Sequence, residues 1–347
     1  MFFKYVGINV APIIAEIGLA HEGSLGFCMA FIDAAADAGA EIVKFQIHDA
    51  ASESTINEKF RVNFSKQDKH RMDYWNRTSF TDDQWEILKA YSESKGMMFT
   101  ASVFSIKAIE LMLSLRARVI KIGSGDLLNE EFAERLQDYD GRILLSTGLA
   151  SLNDIDSAIT LYRTQYDRNN LMIMQCTSKY PTPLEESGAM TIEALENKFN
   201  IPVGFSDHTV GKSASIVALT HGAKAIERHV NFDLRMFGPD TSSSITFNEL
   251  EELVNFRDDY ETIKKPFDKD KIASELEDTK KLFGRSLCLK TNLVKGHKLV
   301  KSDFTLKKPG GGDFTWSDIN QLIGKTLNKN ISNNASLSRI DIEESAF

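Results

Sequence analysis

This chain is short of cysteine, of long apolar runs and of the glycine-rich turns that mark nucleotide sites. Its three cysteines, Cys28, Cys176 and Cys288, are odd in number, widely spaced and without a CxxC pair. That excludes a disulfide framework and fits reduced cytosolic thiols. No segment reaches the ~18 apolar residues that a membrane span needs. The opening Met-Phe-Phe-Lys-Tyr-Val-Gly has neither a long apolar core nor a cleavage signal, so a cytoplasmic location is expected. A P-loop, a GxGxxG turn and a Ser-His-Asp or Cys-His arrangement are all missing. Basic charge is also scarce: 41 Lys and Arg face 49 Asp and Glu, for a net charge of −8. The deficit is uneven, since residues from 284 onward carry +4 and the rest −12. Without a basic run interleaved with aromatics, nucleic acid is an unsuitable partner.

What the sequence does contain is rhythm. Short β-branched runs at 12–17, 41–47, 97–102, 118–122, 142–146, 171–177, 202–206 and 224–229 alternate with helical patterns at 25–38, 82–95, 105–115, 152–165, 189–199 and 211–221. Eight such strands suit an α/β fold of the (β/α)8 TIM barrel type better than a doubly wound sheet, which would carry a glycine-rich phosphate turn after its first strand. The 42% hydrophobic content supports a core of that size. The reading divides the chain into a barrel over 1–265, a charged linker over 266–283 and a small β-rich domain over 284–347.

A barrel places its chemistry where strands end, and polar residues gather at those ends: Glu16, Lys44 and Gln46, Ser102, Lys121 and Ser124, Ser146, Ser178 and Tyr180, His208, and Glu227 with His229. Lys44 and Gln46, two apart on a strand, share a face. An ammonium inside a barrel costs several kcal/mol unless an anion answers it. That anion is either Glu16 or a bound phosphate, and two inward lysines among serine hydroxyls resemble a phosphate cradle more than buried ion pairs. His208 and His229 end neighbouring strands; they are either capping or core histidines or ligands for a divalent ion such as manganese or zinc. Asp240, in Phe-Gly-Pro-Asp, is a sugar contact or a turn residue. His21 is a weaker candidate. His48, His70, His221 and His297 read as surface or packing residues, and the three cysteines as structural.

Together the stretches IIAEIG (13–18), GAEIVKFQ (39–46), FTAS (99–102), KIGSGD (121–126), LSTG (145–148), QCTSKYPTP (175–183), GFSDHT (204–209), ERH (227–229), GPD (238–240) and KKPGGGDF (307–314) resemble the sialic acid synthase family, in order and over nearly the whole chain. The resemblance implies a (β/α)8 barrel joined to a C-terminal antifreeze-like domain, in a domain-swapped homodimer. It implies condensation of phosphoenolpyruvate with the open-chain aldehyde of N-acetylmannosamine or a related N-acyl sugar, with C–O cleavage and phosphate release, to give a nine-carbon 2-keto-3-deoxy acid. By the same resemblance Lys44, Ser102, Lys121, Ser124, Ser146 and Ser178 hold phosphoenolpyruvate. Gln46, Tyr180, Glu227, Asp240 and Lys308 contact the sugar. Glu16 stands beside the reacting carbons, and His208 and His229 bind a divalent metal, manganese first, with magnesium or cobalt as alternatives. The chain departs from the bacterial pattern at Ala20, Glu22, Asp126, Ser178 and Lys308. Lysine at 308 lacks the planar fork of the arginine usual there, which bears on the substituent that is read.

The acceptor is left open among N-acetylmannosamine, its 6-phosphate and a 2,4-diacetamido-trideoxyhexose of legionaminic acid synthesis. Two rivals stand beside the synthase: a barrel aldolase with a Schiff-base lysine, which needs a neutral amine, and a carbohydrate- or ice-binding protein acting through residues 284–347.

Overall fold

The structure is a computed structural model, describing residues 2–3, 7–163 and 170–343. The chain forms two compact units, Met1–Lys264 and Lys265–Phe347. In the first, eight parallel strands run β1 (Ile13–Gly18), β2 (Ile42–Ile47), β3 (Met98–Val103), β4 (Val119–Ile122), β5 (Arg142–Ser146), β6 (Leu171–Gln175), β7 (Val203–Asp207) and β8 (Ile226–Asn231). Each pairs with the next, and β1 pairs back on β8. The sheet is therefore a closed (β/α)8 barrel, as the spacing of the apolar runs predicts. A short β9 (Ile245–Thr246) adds to β8 before the helix Phe247–Ile263.

Alternation along the strands builds two environments. Outward residues such as Ile13, Ala15, Val43, Phe45 and Ile120 join the main core beneath the helices. Inward residues Ile14, Ile42, Val119, Leu144, Met172 and Ala225 fill the lower barrel, with Phe2 and Phe3 in the same cluster. One step further along the same inward faces stand Glu16, Lys44, Lys121, Ser146 and Glu227, while β6 stays apolar at Met174. Gly204 belongs to this interior, where a Cβ would stand 2.4 Å from the Met174 sulfur.

Helices start where the sequence caps them. Ser24, Ser105 and Ser151 each accept from a first-turn amide. Thr81 and Thr246 form reciprocal capping boxes with Gln84 and Glu249. The helix expected over 152–165 is observed as Leu152–Tyr162, and its last two positions, 164 and 165, lie outside the described residues. That expected over 189–199 opens as a 3-10 turn before Ile192–Phe199. Helices Ala50–Glu53, Arg71–Thr78 and Glu130–Arg135 were not anticipated, being short and weakly apolar.

The second unit holds helices Lys269–Glu275 and Glu277–Phe283, so the charged connector is helical, with no buried residue in either helix. An antiparallel pair, β10 (Ser286–Leu289) and β11 (Phe304–Lys307), follows. Its own core comprises Leu287, Leu289, Leu299, Phe304, Ile319, Leu322, Leu327, Ile331 and Leu337. Among the described residues no helix is long and apolar enough to cross a membrane.

A buried ion pair clips the ends of β7 and β8 from outside the barrel. Arg228 lies 2.7 Å from Asp207, both side chains fully buried, and donates to the Thr209 and Ser243 carbonyls. Asp207 also accepts from Ser215 at 2.5 Å and from the Thr209 amide at 2.8 Å. Removing one partner strands the other charge, so Arg228→Ala is expected to destabilise the barrel by about 3–5 kcal/mol in urea unfolding. A loss below about 1 kcal/mol would show that the pair is dispensable.

Candidate active site

Strand register assembles the site. Glu16 is level with Lys44 on β2 and with His229 on β8. Gln46 is level with Ser102, Ser102 with Lys121, and Ser206 with Glu227. These inward positions put Glu16, Lys44, Gln46, Ser102, Lys121 and Ser124 around one cavity of about 280 Å³. Ser146, Ser178, Tyr180, His208, Glu227 and His229 complete its wall.

The lysines do not stand unpaired, contrary to the phosphate-cradle expectation. Lys44 Nζ is 2.9 Å from Glu16, 3.5 Å from Glu227 and 2.9 Å from Ser102 Oγ. Lys121 Nζ is 2.9 Å from the other Glu227 oxygen. Two ammoniums buried this deeply need anions in the folded chain itself, and Glu16 and Glu227 supply them. Glu227 is thus engaged with lysines and with Ser206 at 2.9 Å, where the resemblance had assigned it to the sugar. Gln46 donates to Glu16 at 3.0 Å.

The two glutamates differ in proton affinity. Burial, helped by neighbouring Glu227, raises Glu16 to about 7 against the pull of Lys44. Burial also works to raise Glu227, but Lys121 and Lys44 overcome it and hold the group well below the ordinary carboxylate range. Lys44 loses to burial but gains more from Glu16 and Glu227, so it stays charged. A charged amine is no Schiff-base nucleophile, which disfavours the aldolase reading.

On the opposite wall lie small donors. Ser124 Oγ accepts from the Gly148 amide at 3.0 Å and is 3.7 Å from Cys176 Sγ. A Cβ on Gly148 would stand 2.3 Å from Ser178 Oγ and 3.0 Å from Ser124 Oγ, so only glycine keeps this hydroxyl-lined hollow open.

His208 and His229 have ring centres 5.7 Å apart. His208 Nδ1 is 3.0 Å from the Thr177 carbonyl, which fixes the proton there and leaves Nε2 the acceptor nitrogen, 3.5 Å from Ser206 Oγ. Burial lowers His208 to about 4, with His229 adding to the effect. Burial and Lys44 lower His229 to about 3. Neutral imidazoles facing one cavity are ligands of the kind a divalent transition ion takes. Among the described residues no group of three His, Cys, Asp or Glu side chains comes together as a metal cluster, so an ion here would keep open positions.

Tyr180 stacks on His208 at 4.1 Å and marks the border of a second cavity of about 340 Å³, to which Gln46, Phe104 and Asp126 also belong. Asp240 lies in this second cavity, bound to Arg61 at 2.6 Å; Arg61 in turn lies 4.0 Å over the Tyr180 ring. Arg61 went unnoticed in the sequence because it sits in no strand-end motif. The length of the β2–β3 connection, residues 48–97, was the available signal, for long loops at this face carry function. Ser206, at the end of β7, ties that strand to Glu227 through its hydroxyl. His48 is a packing residue as expected, stacked between Trp75 at 3.7 Å and Phe104 at 4.3 Å. His21 lines neither of these cavities. It is fully buried, accepts from the Gly23 amide at 3.1 Å and stacks on Phe80. Glu22 holds a positive φ and pairs with Arg77 at 2.8 Å, which ties the loop after β1 to the helix Arg71–Thr78. Lys308 belongs to the second unit, its Nζ 5.4 Å from the Phe283 ring centre.

A closed barrel with a charged, hydroxyl-rich hollow and a paired-imidazole corner at its C-terminal mouth defines an enzyme acting on an anionic small molecule. The chain belongs to the NeuB family, whose pattern it matches over residues 31–268, and it carries a SAF domain over residues 284–343. It is 31% identical over 325 residues to the N-acetylneuraminate-9-phosphate synthase of Homo sapiens, covering 91% of this chain and 88% of that one. It is 29% identical over 326 residues to the N,N'-diacetyllegionaminic acid synthase of Legionella pneumophila, covering 92% and 91%. Among solved structures it resembles the N-acetylneuraminic acid synthetase of Leptospira borgpetersenii in complex with citrate, with a TM-score of 0.67, 28% identity and coverage of 78% and 90%.

The histidine environment has a direct test. At roughly pH 6.5 a free imidazole is half charged, whereas His208 and His229 are expected to stay neutral in NMR titration. Protonation follows only as the pH falls to about 4 and about 3 respectively. Because the unfolded chain takes these protons first, stability falls as the pH drops below the free-imidazole value. Ordinary titration of either ring would remove the buried, unprotonated pair.

Proposed function

We propose that this NeuB-family synthase condenses phosphoenolpyruvate with the open-chain aldehyde of an N-acyl hexosamine, releasing phosphate and a nine-carbon 2-keto-3-deoxy acid. The observation that carries the reading is the cluster of Lys44, Lys121, Glu16 and Glu227 beside the Ser124, Ser146 and Ser178 hollow. Phosphoenolpyruvate is a multiply charged anion, and charge-assisted donors of both kinds suit its carboxylate and phosphate. Its C3 forms the new bond to the aldehyde carbon, whose oxygen takes a proton. Water adds at C2 where cationic character develops, and the tetrahedral adduct expels phosphate. Glu16, with a proton affinity near neutrality, both stabilises the developing cation and takes the proton of the incoming water.

His208 and His229 would hold a divalent ion, manganese first, which when bound would supply Lewis-acid polarisation of the aldehyde oxygen. Gln46, Tyr180 and Asp240 would orient the sugar. We also propose that the enzyme is a cytoplasmic homodimer in which the partner subunit's Lys308 reaches the acceptor. Exposed Phe267, Leu276, Leu282 and Phe283 in the second unit offer apolar surface for such an assembly.

Three measurements test these assignments. Glu16→Gln is expected to lower kcat for phosphate release roughly a hundredfold or more with little change in the KM for phosphoenolpyruvate; full turnover would sink the role given to Glu16. Calorimetry with manganese alone should detect an ion that His208→Ala and His229→Ala fail to bind, and chelation should abolish phosphate release. Unchanged ion binding in both variants removes the metal assignment. Mixing Lys308→Ala with His208→Ala protein should restore activity through heterodimers with one intact site; no recovery would place Lys308 in its own chain's site or in none.

A further inference from the structure

Beyond Tyr180 the second cavity carries charge of both signs, and each charge is already answered. Arg61 is paired with Asp240 and donates to the Pro239 carbonyl at 2.9 Å. Arg71 is 3.1 Å from Glu58. The other Glu58 oxygen accepts from Trp75 Nε1 at 3.2 Å and from Ser54. Glu53 lies 2.6 Å from His48 Nδ1, and Asp126 accepts from Asn129 at 3.2 Å. With four carboxylates against two guanidiniums, the lining has a formal charge of −2. One further lysine from a partner would leave it negative. The wall between these charges is aromatic, with Phe64 edge-on to both Phe60 and Tyr74.

We infer that this cavity selects an uncharged, N-acylated acceptor sugar and rejects a phosphorylated one. The inference rests on the synthase reading and sharpens its acceptor. The Lys44–Lys121 cluster is formally neutral, whereas this lining already carries −2, and a phosphate dianion entering here would have to take Arg61 from Asp240 or Arg71 from Glu58 among surplus carboxylates. Either exchange leaves a carboxylate unpaired next to the incoming charge, and like charges juxtaposed in a partly desolvated site repel. An acyl methyl or a deoxy C6 methyl instead meets aromatic faces, and an amide N–H or sugar hydroxyl finds carboxylate oxygens that need not give up their partners. Likeness to relatives does not decide the matter. A synthase named for a 9-phosphate product and one named for a diacetyl sugar acid stand at 31% and 29% identity.

The test uses the full-length protein with phosphoenolpyruvate and manganese, measuring 2-keto-3-deoxy acid formed from N-acetylmannosamine, N-acetylmannosamine 6-phosphate and a 2,4-diacetamido-trideoxyhexose. At least one neutral sugar should turn over, with kcat/KM for the 6-phosphate roughly a hundredfold lower. Preference for the 6-phosphate would overturn the inference while leaving the synthase reading standing. Failure of all three acceptors would remove the synthase reading and this inference with it. In Glu58→Gln, which removes one carboxylate and loosens Arg71, the gap between neutral and phosphorylated acceptors should narrow about tenfold. An unchanged ratio in active Glu58→Gln protein would overturn the role given to the cavity's charge.

Discussion

Two lysine side chains buried inside a barrel beside two glutamates are the constraint on which the rest of this structure depends. Lys44 and Lys121 are buried beyond the reach of bulk water, where a lone ion costs several kcal/mol. Glu16 and Glu227 offset that cost, and they do so across strands: β1 faces β2, and Glu227 on β8 bridges to both lysines. The cluster therefore exists only when β1 has closed on β8. Closure of the sheet and assembly of the charged site are one event, and a register slip by one residue on any of these strands would turn a charge into the apolar layer under the helices.

Much of this was legible in the sequence because it follows from period. Strands appear as β-branched runs within a residue or two of their observed limits, and the i, i+2 rule puts Lys44 and Gln46 on the inner face. The polar strand ends single out the cavity wall down to Ser146 and His208. Partnership was legible only for Lys44, to which Glu16 was one of two candidate anions. Nothing local tells Lys121 that its anion lies on a strand more than a hundred residues away, so a cradle for an external phosphate and an internal ion pair looked alike. Arg61 was hidden for the opposite reason: its neighbours in sequence are irregular, and only the folded β2–β3 connection carries it over Tyr180. Short helices such as Arg71–Thr78 escape because their burial comes from Tyr74, Trp75 and Thr78 rather than from a continuous apolar stripe.

Tyr180 joins the two halves of the mouth. One face stacks on His208, the other receives Arg61, and the guanidinium is anchored by Asp240. A cation over a tyrosine ring contributes about 0.5–2 kcal/mol, enough to bias the ring's orientation without locking it. The same ring thus reports to the imidazole corner, where an ion would act on the aldehyde, and to the aromatic cavity, where the rest of the sugar would lie. An acceptor that disturbs Arg61 disturbs the stacking partner of His208, which links recognition at one end of the sugar to reactivity at the other.

The charged cluster is formally neutral before an anion arrives, and neutrality is a poor host for a multiply charged ligand unless something yields. Glu16 is the group able to yield. Its proton affinity lies near neutrality while that of Glu227 is far lower, so an arriving anion that draws Lys44 away from Glu16 favours protonation of Glu16 and leaves Glu227 ionised. On the proposed chemistry that proton must leave again before Glu16 can accept one from the water added at C2. Aldehyde oxygen, which needs a proton as the carbon–carbon bond forms, is the group within the reaction that can take it. Glu16 would then act in turn as donor to one reactant and acceptor from the other. Two carboxylates in one pocket, held at different proton affinities by how many lysines each touches, are what such a sequence requires.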